Sequence, residues 1–243
     1  MNGRTVYFTD GTEDGFFTAV FDGYKTENAY VSSGKNLQLS IGEKSVFVLT
    51  DTEKAERVRR KIKGIDAHAL YDVRLALRHR DEEREQVAFL YLRQLVKEGK
   101  SVRGKLSVGA VRRMMDLRGQ VLCEVHRLKG FLLFMETSGG VLYAPCSPDH
   151  DDIELLAAHF VARLNAPFVL HDVWRKKALL YDGNECILTE VGEAEILESE
   201  QEKSFSALWK KYYQSVNIAE RKNLRQQRNY MPVRYWRFLT EEP

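Results

Sequence analysis

Between Val111 and Glu190 the spacing of apolar residues switches repeatedly between helical and extended, and this alternation restricts the fold more than any other feature. Val111, Met114, Met115, Leu122 and Val125 fall near one face of a helix predicted from Val111 to Lys129, with Gly130 as its stop. "FLLFME" and "VLYAPC" flank Thr137-Ser138-Gly139-Gly140, which reads as a β-hairpin. Pro148 and Asp149 break the strand pattern. Ile153, Leu156, Ala157, Phe160 and Leu164 then mark a second amphipathic helix. "FVLHD", "ALLY" and, past the Asp182-Gly183 turn, "CILTE" read as strands. The order α-β-β-α-β-β predicts an α+β fold with a mainly antiparallel sheet.

A helix-rich N-terminal part precedes this unit. "TVYFT" and "KSVFVLT" read as strands, each followed by a helix. The first helix has Phe17, Val20, Phe21 and Tyr24 on one face. The second has Ala55, Val58 and Ile62, with Thr50 and Glu53 at capping-box spacing and Gly64 as its stop. Further helices are predicted over residues 66–79 and 82–98, the latter stopped by Gly99. After the acidic stretch Glu190 to Glu202, Phe205, Leu208, Trp209, Tyr212 and Val216 follow helical spacing. The sequence thus divides into residues 1–109, 110–190, an acidic linker at 191–202, and a C-terminal helix with a basic, aromatic arm at 203–243.

The net charge of +2 conceals an uneven distribution. Lys54 to Arg118 holds 18 Lys and Arg against 9 Asp and Glu; Glu190 to Glu202 holds six Glu and no base; Lys203 to Thr240 holds nine bases against Glu220. Such blocks are either solvated helix faces or the electrostatic footprint of a polyanion. No apolar run is long enough to span a bilayer, and residues 1–10 lack a signal-peptide core, so a cytoplasmic protein is expected. Three cysteines are too few for a disulfide framework.

There is no phosphate-cradling G-x-x-x-x-G-K-[ST] loop, no G-x-G-x-x-G, no H-E-x-x-H and no G-x-S-x-G. Cys123 with His126 and Cys146 with His150 have zinc-like spacing. The first pair sits in a predicted helix, however, and Cys146 ends a strand where small apolar residues are common, so no metal or cofactor is assigned. His126, His150, His171 and Asp172 are candidate acid–base groups, because imidazole beside carboxylate can titrate near neutral pH. Adjacent residues on a strand point to opposite faces, which separates His171 from Asp172.

The stretch "RKNLRQQRNYMPVRYW" carries Arg221, Lys222, Arg225, Arg228 and Arg234 with no acid, interleaved with Tyr230, Tyr235 and Trp236. Arginines neutralise phosphates and aromatic rings stack on bases. Arg221, Arg225 and Arg228 align along a helix and are expected to face outward. Tyr235 and Trp236 are expected at least partly to anchor the arm. Arg127 and Lys129 at a helix end, and Arg175, are further phosphate-contacting candidates.

The segments "YFTDGTEDGFFTAVFDGY", "EVHRLKGFLLF", "YAPCSPDH", "LAAHFVAR", "HDVWRKKALLYDG" and "RKNLRQQRNYMPVRYW" occur in this order. From Val6 to about Leu239 the chain resembles a bacterial family of DNA-metabolism proteins, described as of unknown function and encoded beside a radical SAM protein. The resemblance implies a DNA modification or repair setting, DNA and the radical SAM protein as partners, and no membrane. Some relatives continue into a uracil-DNA glycosylase-like domain, and glycosylase chemistry of that origin is not expected of residues 1–243. The matching positions are His126, Arg127, Lys129 and Gly130, then Pro148, Asp149 and His150, then His159, His171, Asp172 and Arg175. In the arm they are Asn223, Arg225, Gln227, Arg228, Met231, Pro232, Arg234, Tyr235 and Trp236. Leu133 stands where the pattern has a basic residue. Three functions follow as expectations: a nucleic-acid-binding accessory protein, an enzyme acting on damaged DNA, or a protein–protein adaptor.

Overall fold

The computed structural model describes residues 3–34, 40, 42–192, 198–216 and 223–240, and its contacts gather into two compact units, Met1–Cys123 and Glu124–Pro243. In the first, strand β1 (Thr5–Phe8) leads through helix α1 (Glu13–Gly23) to β2 (Ala29–Ser32), and then come β3 (Lys44–Phe47) and α2 (Thr52–Ile65). The strands form a parallel sheet in the order β2-β1-β3. A parallel pair needs a crossover, and α1 supplies it. Its N-cap is Thr12, whose hydroxyl accepts from Gly15 N, and Glu13 and Asp14 suit the positive end of the helix. A Cβ at Gly15 would collide with the Asp10 carboxylate, which Thr12 and Thr50 hold in place.

The helices differ from the sequence expectation at several ends, among them α2, which runs one residue past Gly64 to Ile65, and the helix predicted over residues 82–98, which begins at Arg84. Asp51, not Thr50, caps α2, its carboxylate accepting from Glu53 N and Lys54 N, while Thr50 Oγ1 donates to Asp10 instead. One oxygen of Asp51, Oδ1, accepts from both free amides, and this displaces the capping box. Helix α3 (Ala69–Leu77) begins three residues late because Asp66 accepts from His68 N, holding a turn. Helix α4 (Arg84–Glu98) does end at Gly99, with φ +64°. Helix α5 (Gly109–Phe131) runs through Gly130, since Leu128 and buried Leu132 continue its apolar stripe past the glycine. The first unit closes over Phe16, Phe17, Phe89, Leu92, Leu95 and Met114. Phe21 and Tyr24, on the predicted inner face of α1, are 36% and 37% exposed.

The second unit begins at Glu124, within α5. Its sheet has the order β4 (Met135–Glu136), β5 (Leu142–Cys146), β6 (Phe168–Asp172), β7 (Lys177–Tyr181) and β8 (Cys186–Glu190). Only β5 and β6 are parallel, joined by α6 (Ile153–Leu164), so the architecture is α+β with a mainly antiparallel sheet. The β4–β5 turn closes with Gly140 at φ +75° and Thr137 N donating to Val141 O. The core gathers Leu128, Leu132, Leu156, Phe160, Phe168 and Leu170, with Tyr235 from the C-terminal arm.

Helix α7 (Glu200–Val216) is tied to the sheet edge where Ser199 N donates to Glu136 O and Glu136 N donates to Glu202 Oε2. Part of the acidic stretch, residues 193–197, lies outside the described residues. Helix α8 (Leu224–Tyr230) follows, and after Met231-Pro232 comes a 3₁₀ helix, Val233–Phe238. Pro232 forces the break: its ring disfavours helical geometry at Met231, which is extended (φ −126°, ψ 107°).

Candidate nucleic-acid interface

Glu124 organises the second unit. It lies on the same stripe of α5 as Val125 and Leu128, and its side chain is only 5% exposed. A buried carboxylate is tolerated only when charge and hydrogen bonds compensate it. Glu124 Oε1 accepts from Asp149 N (3.0 Å), Arg234 Nη2 (2.6 Å) and Tyr235 Oη (2.5 Å), and Oε2 accepts from His150 N (2.8 Å). Burial pushes the carboxyl up, but hydrogen bonds from Tyr235, the two loop amides and Arg234 outweigh it and bring it from 4.5 to about 2. Burial, then the Glu124 carboxylate, drives the Tyr235 hydroxyl well above its ordinary value.

The loop Pro148–His150 is held from its other side by Arg175. Its guanidinium donates to Pro148 O (3.0 Å), Asp149 O (2.6 Å) and the fully buried Asp172 Oδ2 (2.9 Å). Asp172 Oδ1 also accepts from Trp174 N and Arg175 N, which shapes the β6–β7 turn. Arg234 adds an ion pair to Asp149 (2.9 Å). The motif residues Asp149, His150, Asp172, Arg175, Arg234 and Tyr235 therefore form one closed network around Glu124 that fixes a loop, a turn and the C-terminal arm.

Of the acid–base candidates, His150, His171 and Asp172 are buried in this packing and His126 is not. His171 is buried and shares a 2.6 Å hydrogen bond through Nδ1 with Tyr143 Oη; burial, opposed by Asp172, lowers its pKa. Asp172, on the opposite face of β6, faces Arg175. His150 is buried, with Nε2 4.0 Å from Glu124 Oε2, while His126 is exposed on α5. Cys146 is buried and donates to His171 O, and burial raises its thiol pKa. Among the described residues no group of three or more His, Cys, Asp or Glu is placed to hold a metal ion. No helix among them is long and apolar enough to cross a membrane.

Of the remaining interface candidates, Arg225, Arg228 and Arg127 are exposed. Arg225 and Arg228 are exposed, one turn apart on α8, beside Tyr230, which is 72% exposed. Neither arginine has an acidic partner among the described residues. Arg127 is exposed on α5 and Lys129 is half-buried, its carbonyl accepting from Arg163. Trp236 is half-buried and donates from Nε1 to Met231 O. Arg221 lies outside the described residues. Leu133, at the position where a basic residue was expected, is 43% exposed. The arm is thus anchored by Tyr235 and presents its cations on the helix before it.

The model of a family, a domain of unknown function (DUF4130), matches residues 82–241. The chain belongs to this family. The match begins next to α4 and takes in every residue of the Glu124 network, so the network lies in the family domain. No curated protein and no solved structure matches the chain.

Three residues of this DUF4130 domain escape a motif-based reading. Glu124 precedes "VHRLKGF" and is neither a metal ligand nor a basic residue; its signal is a carboxylate on an apolar helical stripe, which demands a buried partner. Trp174 sits inside "HDVWRKK" and is 78% exposed on the β6–β7 turn. Tyr230 was visible only as one aromatic among several. The apolar face of α7 is a fourth departure: Phe205, Leu208, Tyr212 and Val216 are each at least half exposed.

Proposed function

We propose that this protein is a nucleic-acid-associated accessory protein, which binds DNA through its C-terminal arm and assists a radical SAM partner in DNA modification or repair. The observation that carries the reading is the pairing of Arg225 and Arg228, which have no acidic partner among the described residues, with the exposed ring of Tyr230 on the helix that precedes buried Tyr235. Arginines neutralise phosphates and an exposed ring gives a base a stacking platform, so single-stranded DNA is the favoured ligand. Arg127 on α5 and Trp174 on its braced turn supply one further cation and one further ring. Arg175 and Arg234 act indirectly, by holding the loop and the arm.

A catalytic role for His126, His150, His171 and Asp172 is less well supported, since His171 and Asp172 are bound into the packing and His126 stands exposed. An adaptor role has one observation in its favour, the solvent-facing apolar stripe of α7. Fluorescence anisotropy with a labelled single-stranded oligonucleotide, repeated with the radical SAM protein added, separates the readings. Salt-dependent binding of the protein alone supports direct contact. Co-purification with the partner and no DNA binding at low salt, alone or in the complex, favours the adaptor.

A further inference from the structure

The first unit carries a cleft of about 630 Å³, lined by α1, α2 and α4. Val20, Val58, Ile62, Leu92 and Val96 make its apolar lining, with Phe21 and Tyr24 as aromatic walls. Its size is in the range of small-molecule sites, roughly 300–1,000 Å³. Helix α2 presents two adjacent stripes to it: Val58 and Ile62, and beside them Arg57 and Lys61, each pair one turn apart. Lys25, just past the end of α1, adds a third cation.

Among the described residues Asp22 is the only acid in the lining, and it is engaged by Lys54 at 2.9 Å. Arg57, Lys61 and Lys25 have no acidic partner among the described residues. Arg57 lies over the Phe21 ring, 5.0 Å from its centroid, which positions its charge over an aromatic wall. This explains why Phe21 and Tyr24, at apolar helical positions of α1, are left partly exposed: they line a cleft.

We propose that this cleft binds a small amphipathic anion, an acyl-chain carboxylate whose apolar body lies against Val58, Ile62, Leu92 and Val96 and whose head pairs with Arg57, Lys61 and Lys25. The two ends of the site impose different requirements. Valine and leucine side chains favour a hydrocarbon body and offer a polar chain nothing to hydrogen-bond. Cations at the edge favour an anionic head over a hydroxyl of the same length. The cleft belongs to the first unit and the arm to the second, and the test of the cleft is independent of the DNA-binding reading.

Isothermal titration calorimetry of the full chain with decanoate, decanol and acetate tests this. Decanoate should bind saturably at one site per chain, about tenfold or more tighter than either decanol or acetate. The exposed double variant Arg57→Glu with Lys61→Glu should weaken decanoate by about tenfold while leaving decanol unchanged. Val96→Trp, which fills the cleft, should reduce binding of both, with the fold checked by circular dichroism. Absence of saturable decanoate binding, or decanoate affinity unaffected by both the charge-reversed and the filled variants, would overturn the proposal.

Discussion

Replacing Glu124 by Gln perturbs the centre of the second unit with almost no change of shape. The carboxyl lies at about 2 against an ordinary 4.5, and at about 1.4 kcal/mol per pH unit that difference stabilises the fold by roughly 3 kcal/mol at neutral pH. Gln offers one acceptor oxygen where the carboxylate offers two, so its amide group must face a donor, and Arg234 keeps only Asp149 as an acidic partner. The expected loss is therefore about 3–5 kcal/mol. Because the folded pKa is depressed, the carboxylate's contribution is present in full above pH 4.5 and is lost as pH falls towards 2. The wild-type advantage over Glu124→Gln should be full at pH 7, reduced near pH 3.5 and nearly gone at pH 2. Urea unfolding followed by tryptophan fluorescence isolates this effect, because Trp174, Trp209 and Trp236 all lie in the second unit. A cost under about 0.5 kcal/mol at pH 7, or a difference that stays constant from pH 7 to pH 3, would refute the reasoning.

Other variants probe neighbouring parts. Tyr235→Phe removes the hydroxyl's hydrogen bonds to Glu124 and from Arg234 and should cost about 1.5–3 kcal/mol in the same unfolding assay. Arg175→Ala leaves Asp172 buried without its counter-charge and should cost about 3 kcal/mol, with increased proteolysis in the loop at residues 148–151. Asp51→Ala removes the α2 cap and should cost about 1 kcal/mol, measured by circular dichroism, with no change in tryptophan fluorescence. A colorimetric thiol reagent should modify exposed Cys123 and Cys186 quickly in the native protein and buried Cys146 only after unfolding.

The elements legible in the sequence are those whose local signals agree with their packing. The hairpin at 137–140, α6, α4 with its Gly99 stop and the β7–β8 pair all combine a clear period with turn residues. Strand β2 (Ala29–Ser32) was missed because four residues set no period; it is a strand because β1 offers it a parallel edge. Gly130 misled because a helix stops at glycine only when its apolar stripe stops there too, and Leu132 extends the stripe. The arm is legible from charge and aromatic content; Tyr235, named both among its candidate nucleic-acid contacts and as a partial anchor, is buried. Charge counting alone cannot divide the arginines. Arg234 and Arg228 look alike in sequence, and only the long-range meeting of Arg234 with Glu124, 110 residues away, separates an internal partner from a solvent-facing cation.

The most direct test of the account is the salt dependence of single-stranded DNA binding by the wild type and by Arg225→Ala with Arg228→Ala. Both side chains are exposed, so the variant should keep the wild-type unfolding midpoint. The account predicts that log K falls linearly with log salt, and that the double variant lowers the slope by about 1.4, roughly 0.7 for each lost phosphate contact. An unchanged slope and affinity in the double variant, or no salt-dependent binding by the wild type, would contradict it.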